Sequence, residues 1–249
     1  MRVDVALVPP ALVPPNTTCL VVDVLRATSV MAVLFGRGLE TAWLAGTIED
    51  GRAIRAVLGD RPGGVMLCGE VDALPPAGFD YGNSPLEFEQ IDLPAAAVLA
   101  TTNGTPALLA CAAAPLVLPA APLNAAAAVR VALEAGRDVL VVCSGLVPSE
   151  GGRLPGEDDT LAAGLLVERF VLAGARPGDE AMYALDLFEA VRDDLGGALR
   201  RTEHGARITA LGFGDDVNRC AQADLYDAVA TLRIEDGRPL LRRSRARAS

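Results

Sequence analysis

One pattern recurs along this chain and limits what it can fold into: a short apolar run, a polar or glycine-rich turn, then an alanine- and leucine-rich segment of helical character. Runs of β-favouring residues at 20–22, 65–68, 95–100, 139–143 and 208–211 read as buried strands, and helices are predicted over 30–34, 107–113, 125–135, 161–173 and 186–195. Strands separated by helices favour the α/β class, a three-layer α/β/α arrangement with a mostly parallel or mixed sheet and helices on both faces. At 249 residues and 51% hydrophobic content the chain can bury a substantial core. Pro and Gly mark the boundaries, as at Pro9-Pro10, Pro14-Pro15, Pro75-Pro76 and 147–156, with no long flexible linker. One domain over 1–249 is therefore expected, any two-lobed division falling near 120–137, with a frayed basic tail at 238–249.

Several function classes drop out. No apolar run reaches the roughly 18 residues of a membrane helix, and the acidic, Pro-interrupted N-terminus does not suit a secretory signal, so the expected compartment is the cytoplasm, without a membrane partner. The five cysteines are widely spaced inside apolar segments, which suits buried reduced thiols better than zinc ligation, and none has an arginine six residues later. A net charge of −10 argues against nucleic acid as a partner. The chain also contains no lysine: all 22 basic residues are arginine. Schiff-base chemistry and the P-loop lysine are excluded, so any phosphate must be held by arginine, metal or backbone amides.

The turns carry the chemistry. Asp23, Arg26, Thr28 and Ser29 follow the first predicted strand, on the edge where open α/β sheets bind ligands. Thr101-Thr102-Asn103-Gly104-Thr105-Pro106 offers an anion site, with Thr105 suited to a helix N-cap and Pro106 to the first helical position. In the loop 78–87, Ser84, Pro85 and Glu87 read as a capping box. That leaves Glu70 and Asn83 without a structural explanation, and Glu70 with Asp23 could form a hard-cation site. The acidic run Glu157-Asp158-Asp159 serves a helix macrodipole or a metal about equally well, and the four-glycine loop 144–156 before it suits a lid or site wall. His204, the one histidine, could protonate a leaving alkoxide. Gly212-Phe213-Gly214 is not a dinucleotide fingerprint, because Val217 takes the place of the third glycine. Carboxylates, one well-placed arginine and hydroxyl or amide donors together suit Mg²⁺ and a phosphate.

Asp23-Val24-Leu25-Arg26-Ala27-Thr28, Gly69-Glu70, Gly78-Phe79-Asp80, Gly82-Asn83-Ser84-Pro85-Leu86-Glu87, Thr101-Thr102-Asn103-Gly104-Thr105, Asn124-Ala125, Glu157-Asp158 and His204-Gly205 occur in this order, and with them the chain resembles the 2-phosphosulfolactate phosphatase (ComB-like) family. The resemblance implies an α/β fold and Mg²⁺-dependent hydrolysis of 2-phosphosulfolactate, or a related phosphorylated 2-hydroxy acid, to 3-sulfolactate and phosphate, a step of coenzyme M biosynthesis in methanogens. Carried over by position, it makes Asp23, Arg26, Glu70 and His204 the catalytic candidates. Arg26, Thr28, Asn83, Thr102, Asn103 and Gly104 become substrate-binding candidates, and Asp23, Glu70, Glu157 and Asp158 candidate metal ligands. The family's usual Gly-Glu-Arg reads Gly69-Glu70-Val71 here. The implied partner is a small phosphorylated acid, sulfonated or not, and self-association is left open. Two other readings fit the same residues. One is a haloacid dehalogenase-type phosphatase working through an aspartyl phosphate, although Leu25 replaces its second aspartate; the other is a non-catalytic anion-binding protein of the same fold.

Overall fold

In the computed structural model, which describes residues 1–244 apart from 60, 149 and 150, the apolar runs become the inner strands of two sheets. The elements in order are β1 (Arg2–Ala6), β2 (Thr17–Val22), α1 (Ala27–Gly36), β3 (Thr41–Ala45), α2 (Ile48–Leu58), β4 (Val65–Gly69), α3 (Pro85–Gln90), β5 (Ala96–Ala100), α4 (Gly104–Ala110) and β6 (Leu116–Pro119). There follow α5 (Ala125–Ala135), β7 (Asp138–Cys143), α6 (Glu157–Leu172), β8 (Arg176–Pro177), α7 (Asp179–Glu189), α8 (Leu195–Arg201), α9 (Glu203–Ile208), α10 (Gly214–Cys220), β9 (Ala230–Glu235) and β10 (Arg238–Arg243).

The first sheet has the order β6-β2-β7-β1-β8 and is parallel throughout. The second runs β4-β5-β3-β10-β9, parallel across β4, β5 and β3 and antiparallel through β10 and β9. The expected α/β layering is present, with the strands divided between two sheets. β2, Thr-Thr-Cys-Leu-Val-Val, is buried along its whole length, as a central parallel strand covered on both faces must be. Helix α1 is apolar on every side and lies in a core that the two sheets share, with Cys19 and Val21 from one and Leu44, Met66 and Leu99 from the other. Helices α5 to α8 cover the far face of the first sheet, and α2 covers part of the far face of the second. Among the described residues no helix is long and apolar enough to cross a membrane.

The register lines up the strand ends. Val22 pairs with Cys143, and Gly69 with Ala100, so the carboxyl ends of β2 and β7 lie side by side, as do those of β4 and β5. Asp23, Ser144, Glu70 and Thr101 each follow one of these ends.

Three expectations need correction. The apolar run 208–211 is not a strand: Ile208 ends α9, and a wide helical turn, Thr209–Phe213, continues it with only Ile208 buried in the run. Four apolar residues do not separate a strand from a helix end. The helix expected at 186–195 is α7, starting earlier behind Gly178, and it gives way to a 3₁₀ turn at Arg192–Asp194. Finally, 238–243 is not frayed but forms β10, paired with both β9 and β3; Arg245 and Arg247 lie outside the described residues. Asp236-Gly237, both at positive φ, form the two-residue hairpin turn that signals this pairing.

Helices α6 and α7 pack closely on the first sheet's outer layer, where a Cβ on Gly164 would fall onto the Ala184 carbonyl oxygen and within 2.6 Å of Phe188 Cβ. A backbone oxygen cannot step aside as a side chain can. Gly164→Ala is therefore expected to destabilise the fold by about 1–3 kcal/mol, read as a lowered urea midpoint with an unchanged m value.

Candidate functional site

The four strand ends meet helices α6 and α9 around Asp23. Asp23 is 5% exposed and is fixed by its own turn: Thr28 donates its amide (3.0 Å) and its hydroxyl (2.9 Å) to the Asp23 carbonyl, and the Asp23 amide donates to the Thr28 hydroxyl (3.1 Å). Among the described residues its carboxylate accepts one long hydrogen bond, from the Ala27 amide at 3.3 Å. Gly104 opens α4 against it, where a Cβ would come within 2.8 Å of Asp23 Oδ2 and 2.5 Å of Ala27 Cβ, so glycine is required for this approach.

Two further carboxylates arrive from the first turn of α6. Asp159 accepts the Val24 amide (2.9 Å), the Ser144 hydroxyl (2.8 Å) and the Gly145 amide (3.1 Å), thereby tying the ends of β2 and β7 together. Asp158 Oδ2 lies 2.9 Å from His204 Nδ1. His204 stands in the first turn of α9 because Thr202 caps that helix, accepting from the Gly205 amide at 3.0 Å. Gly205 must be glycine, since a Cβ there would fall onto the Leu199 carbonyl oxygen.

Asp23, Arg26, Glu70, Asn83, Asn103 and His204 line one cavity of about 30 Å³. It opens beside a second of about 240 Å³, walled by Thr102 on one side and by Leu146, Val147, Pro148 and Leu154 on the other. Leu146, Val147, Pro148 and Leu154 of the loop 144–156 thus form a site wall, one of the two roles its length suggested. A larger cleft, about 650 Å³, lies far from these groups on the outer face of the second sheet, around Trp43 and Arg61, and none of the motif turns opens into it.

The four catalytic candidates read from the sequence come together here, but several roles differ from expectation. Arg26 is not a free clamp: it is 2% exposed, donates to Asp216 Oδ2 (2.6 Å) and the Ala73 carbonyl (2.7 Å), and lies 4.3 Å from the Phe213 ring centroid. Thr28 spends its hydroxyl on the Asp23 backbone and does not line the cavity. Glu157 is exposed at the start of α6 and points away from the group, so the acidic run contributes Asp158 and Asp159 instead. Thr105 is not the N-cap of α4; Asn103 is, and Thr105 instead exchanges hydrogen bonds with Thr101. Ser84 caps α3 as expected, accepting from the Glu87 amide, and donates to Asp216 Oδ1 at 2.7 Å. Glu70 accepts the Thr102 amide (2.8 Å) and the Ala73 amide (3.0 Å), one on each oxygen. Asn103 Oδ1 is buried with no partner among the described residues.

Sequence reasoning missed Asp216, Ser144 and Arg153, and named Asp159 only as part of the acidic run. Nothing local says that Asp216 turns inward while its neighbour Asp215 stays exposed. Arg153 approaches closely enough for the charges of Asp23 and Asp159 to act on it, and it donates to the Ser144 carbonyl.

Burial is the main force on these groups. It pushes the Asp23 carboxyl up from 3.8 to about 6, opposed by the His204 charge and reinforced by Glu70 and Asp158. Burial and the charges of Asp158 and Asp23 push Asp159 well above the carboxylate range. For His204 burial acts downward, but the hydrogen bond and charge of Asp158, with Asp23 and Asp159, outweigh it and the net shift is upward. Among the described residues no three His, Cys, Asp or Glu side chains gather closely enough to hold a metal by themselves.

A buried carboxylate and an aspartate-held imidazole line one cavity at the carboxyl ends of parallel strands, the edge where α/β enzymes bind their ligands. Residues 6–235 match the family model described as 2-phosphosulpholactate phosphatase, and the chain belongs to this family of phosphoric monoester hydrolases. Proteins named probable 2-phosphosulfolactate phosphatase are similar over nearly their full length. The one from Thermotoga petrophila is 36% identical, over 92% of this chain and 95% of its own. Those from Deinococcus radiodurans and Thermus thermophilus are also 36% identical, covering 93% and 97% of this chain and 93% and 98% of theirs.

Because the folded value of Asp23 lies above its unfolded one, the protonated form favours the fold. That contribution is present below pH 3.8 and lost as the pH rises through about 6. In chelator, Asp23→Asn should therefore stabilise the protein by about 3 kcal/mol at pH 8, with the gain shrinking toward zero near pH 4. Urea melts at both pH values test this, and an equal gain at the two would refute it.

Proposed function

We propose that the chain hydrolyses the phosphate monoester of 2-phosphosulfolactate, or of a closely related phosphorylated 2-hydroxy acid, at the cavity around Asp23, with Mg²⁺ as cofactor. The observation that carries this reading is that His204, held by Asp158, lines the same cavity as Asp23 and Asn103, whose Oδ1 has no partner among the described residues, in a chain of this family.

The donors suit a hard divalent cation. Mg²⁺ takes one or two carboxylates and keeps waters and phosphate oxygens for its other positions, so a preassembled trio of acids is not needed. Asp23 brings a carboxylate that is short of hydrogen bonds, and Asn103 brings an amide oxygen without a partner. These two residues would hold the ion, with Glu70 beside them and already bonded to two amides. Glu157 is too exposed to serve and Asp158 is engaged with His204, so the ligand set is narrower than the one the sequence implied. The ion, when bound, neutralises phosphate charge and lowers the pKa of a coordinated water.

His204 supplies the proton. Asp158 holds Nδ1 and favours the charged ring, leaving Nε2 as the nitrogen available to the cavity that His204 lines. As water attacks phosphorus and the bond from phosphorus to the ester oxygen breaks, that oxygen takes the Nε2 proton and leaves as the 2-hydroxyl of the product acid. Arg26 and Asn83 line the same cavity. Arg26 is held in place by Asp216 and offers its remaining N–H groups to the phosphate. A buried Leu25 where an aspartyl-phosphate enzyme would carry its acid favours direct attack by water.

Phosphate release from 2-phosphosulfolactate with Mg²⁺ and with chelator tests the reading; no chelator-sensitive turnover on it or on related phosphorylated hydroxy acids would sink it. His204→Gln should lower kcat on these alkyl esters by about 10²- to 10⁴-fold. The loss should be far smaller on p-nitrophenyl phosphate, whose leaving group needs no proton, and comparable losses on both would remove His204 as the acid.

A further inference from the structure

We propose that Arg207 recognises the second anionic group of the substrate, a sulfonate or carboxylate, and that Asp72 is its resting counter-ion. This rests on the phosphatase reading above and extends it to what distinguishes one phosphate ester from another.

The cavity of about 240 Å³ shares Glu70, Asn103 and His204 with the smaller one around Asp23, so the part of a substrate that lies beyond its phosphate enters it. Its surroundings repel such a substrate: Glu70, Asp72 and Glu203 all line it. Among the described residues Arg207 is the one arginine on its wall. On α9, Arg207 comes three residues after His204, a spacing that puts both on one helix face. The proton donor and the cation thus look into the same space.

Arg207 is not locked as Arg26 is. Its Nη2 lies 2.8 Å from Asp72 Oδ1, but the two side chains are 57% and 78% exposed. An ion pair so open to water is weak and readily exchanged. Asp72 is held at φ 54° in a turn closed by hydrogen bonds between Val71 and Leu74, and the same turn is fastened to Glu70 through the Ala73 amide. The backbone that carries the counter-ion is therefore fixed, while the exposed arginine can turn. A planar guanidinium matches two oxygens of a sulfonate or carboxylate in a bidentate pair, which a single exposed Asp72 oxygen does not supply. The apolar wall of Leu146, Val147, Pro148 and Leu154 leaves room for the short carbon chain between the two anions.

Steady-state kinetics of the full-length protein, Arg207→Gln, Arg207→Lys and Asp72→Asn on 2-phosphosulfolactate and p-nitrophenyl phosphate test this. Arg207→Gln should raise KM for 2-phosphosulfolactate by about tenfold or more with little change in kcat, and its loss in kcat/KM there should exceed that on p-nitrophenyl phosphate by about tenfold. Arg207→Lys should recover part of the loss, and Asp72→Asn should lower KM by about threefold. Equal losses on the two esters, or an unchanged KM, would overturn the proposal. Should the unmodified protein turn over neither ester, the phosphatase reading fails by itself. Calorimetric titration with 3-sulfolactate then decides on Arg207: binding weakened about tenfold by Arg207→Gln upholds the role, and binding that is unaffected, or absent from the unmodified protein, refutes it.

Discussion

Three carboxylates, those of Asp23, Asp158 and Asp159, are withdrawn from water at one point, each 5% exposed or less, and the surrounding structure is arranged to make that tolerable. Burying like charges together is costly unless each finds donors. Asp159 finds three, from Val24, Ser144 and Gly145, and in doing so fixes two strand ends to the first turn of α6. Asp158 finds the imidazole. Asp23 is left, among the described residues, with one long bond, so its carboxylate keeps lone pairs free for a further partner.

The same constraint explains why two sheets are used. One sheet brings Asp23 and Ser144 at the ends of β2 and β7; the other brings Glu70 and the 101–103 turn at the ends of β4 and β5. Helices α1 and α4 lie in the core between them, and Gly104 with Ala27 keeps that junction close enough for α4 to touch Asp23. The Arg26–Asp216 pair closes the far side, since Asp216 also takes the Ser84 hydroxyl and Arg26 also takes the Ala73 carbonyl. Removing one partner of so buried a pair would strand the other charge, so this contact is better understood as positioning the site than as adding stability.

Local signals carried some of this. The apolar runs of β2, β4, β5 and β7 were legible because buried parallel strands need continuous hydrophobic residues, and α5 was legible to its end residues because Gly136 terminates it in the left-handed region. Strands β3 and β6, equally apolar, escaped notice for want of a flanking polar motif, and β9 and β10 because an arginine-rich terminus reads as solvated. Asp23, Glu70, Asn103 and His204 stood out because their local sequence assigned none of them a capping or dipole role, although Asn103 does occupy the N-cap position of α4. Thr28 and Glu157 misled for the opposite reason: the motif supplied the residue type, but the turn and the helix phase decided where it points.

The sequence by itself determined the α/β class, the exclusion of lysine chemistry and the turns that bear polar groups, since these follow from periodicity, composition and short-range order. Only the tertiary structure decided that Asp158, Asp159 and Asp216 are buried while Glu157 and Asp215 are exposed, that Arg26 is committed to Asp216, and that Arg207 shares a cavity with His204. Those outcomes depend on contacts between residues far apart in the chain, such as the 190 positions separating Arg26 from Asp216, and on how desolvation is shared among charges that meet only when the sheets come together.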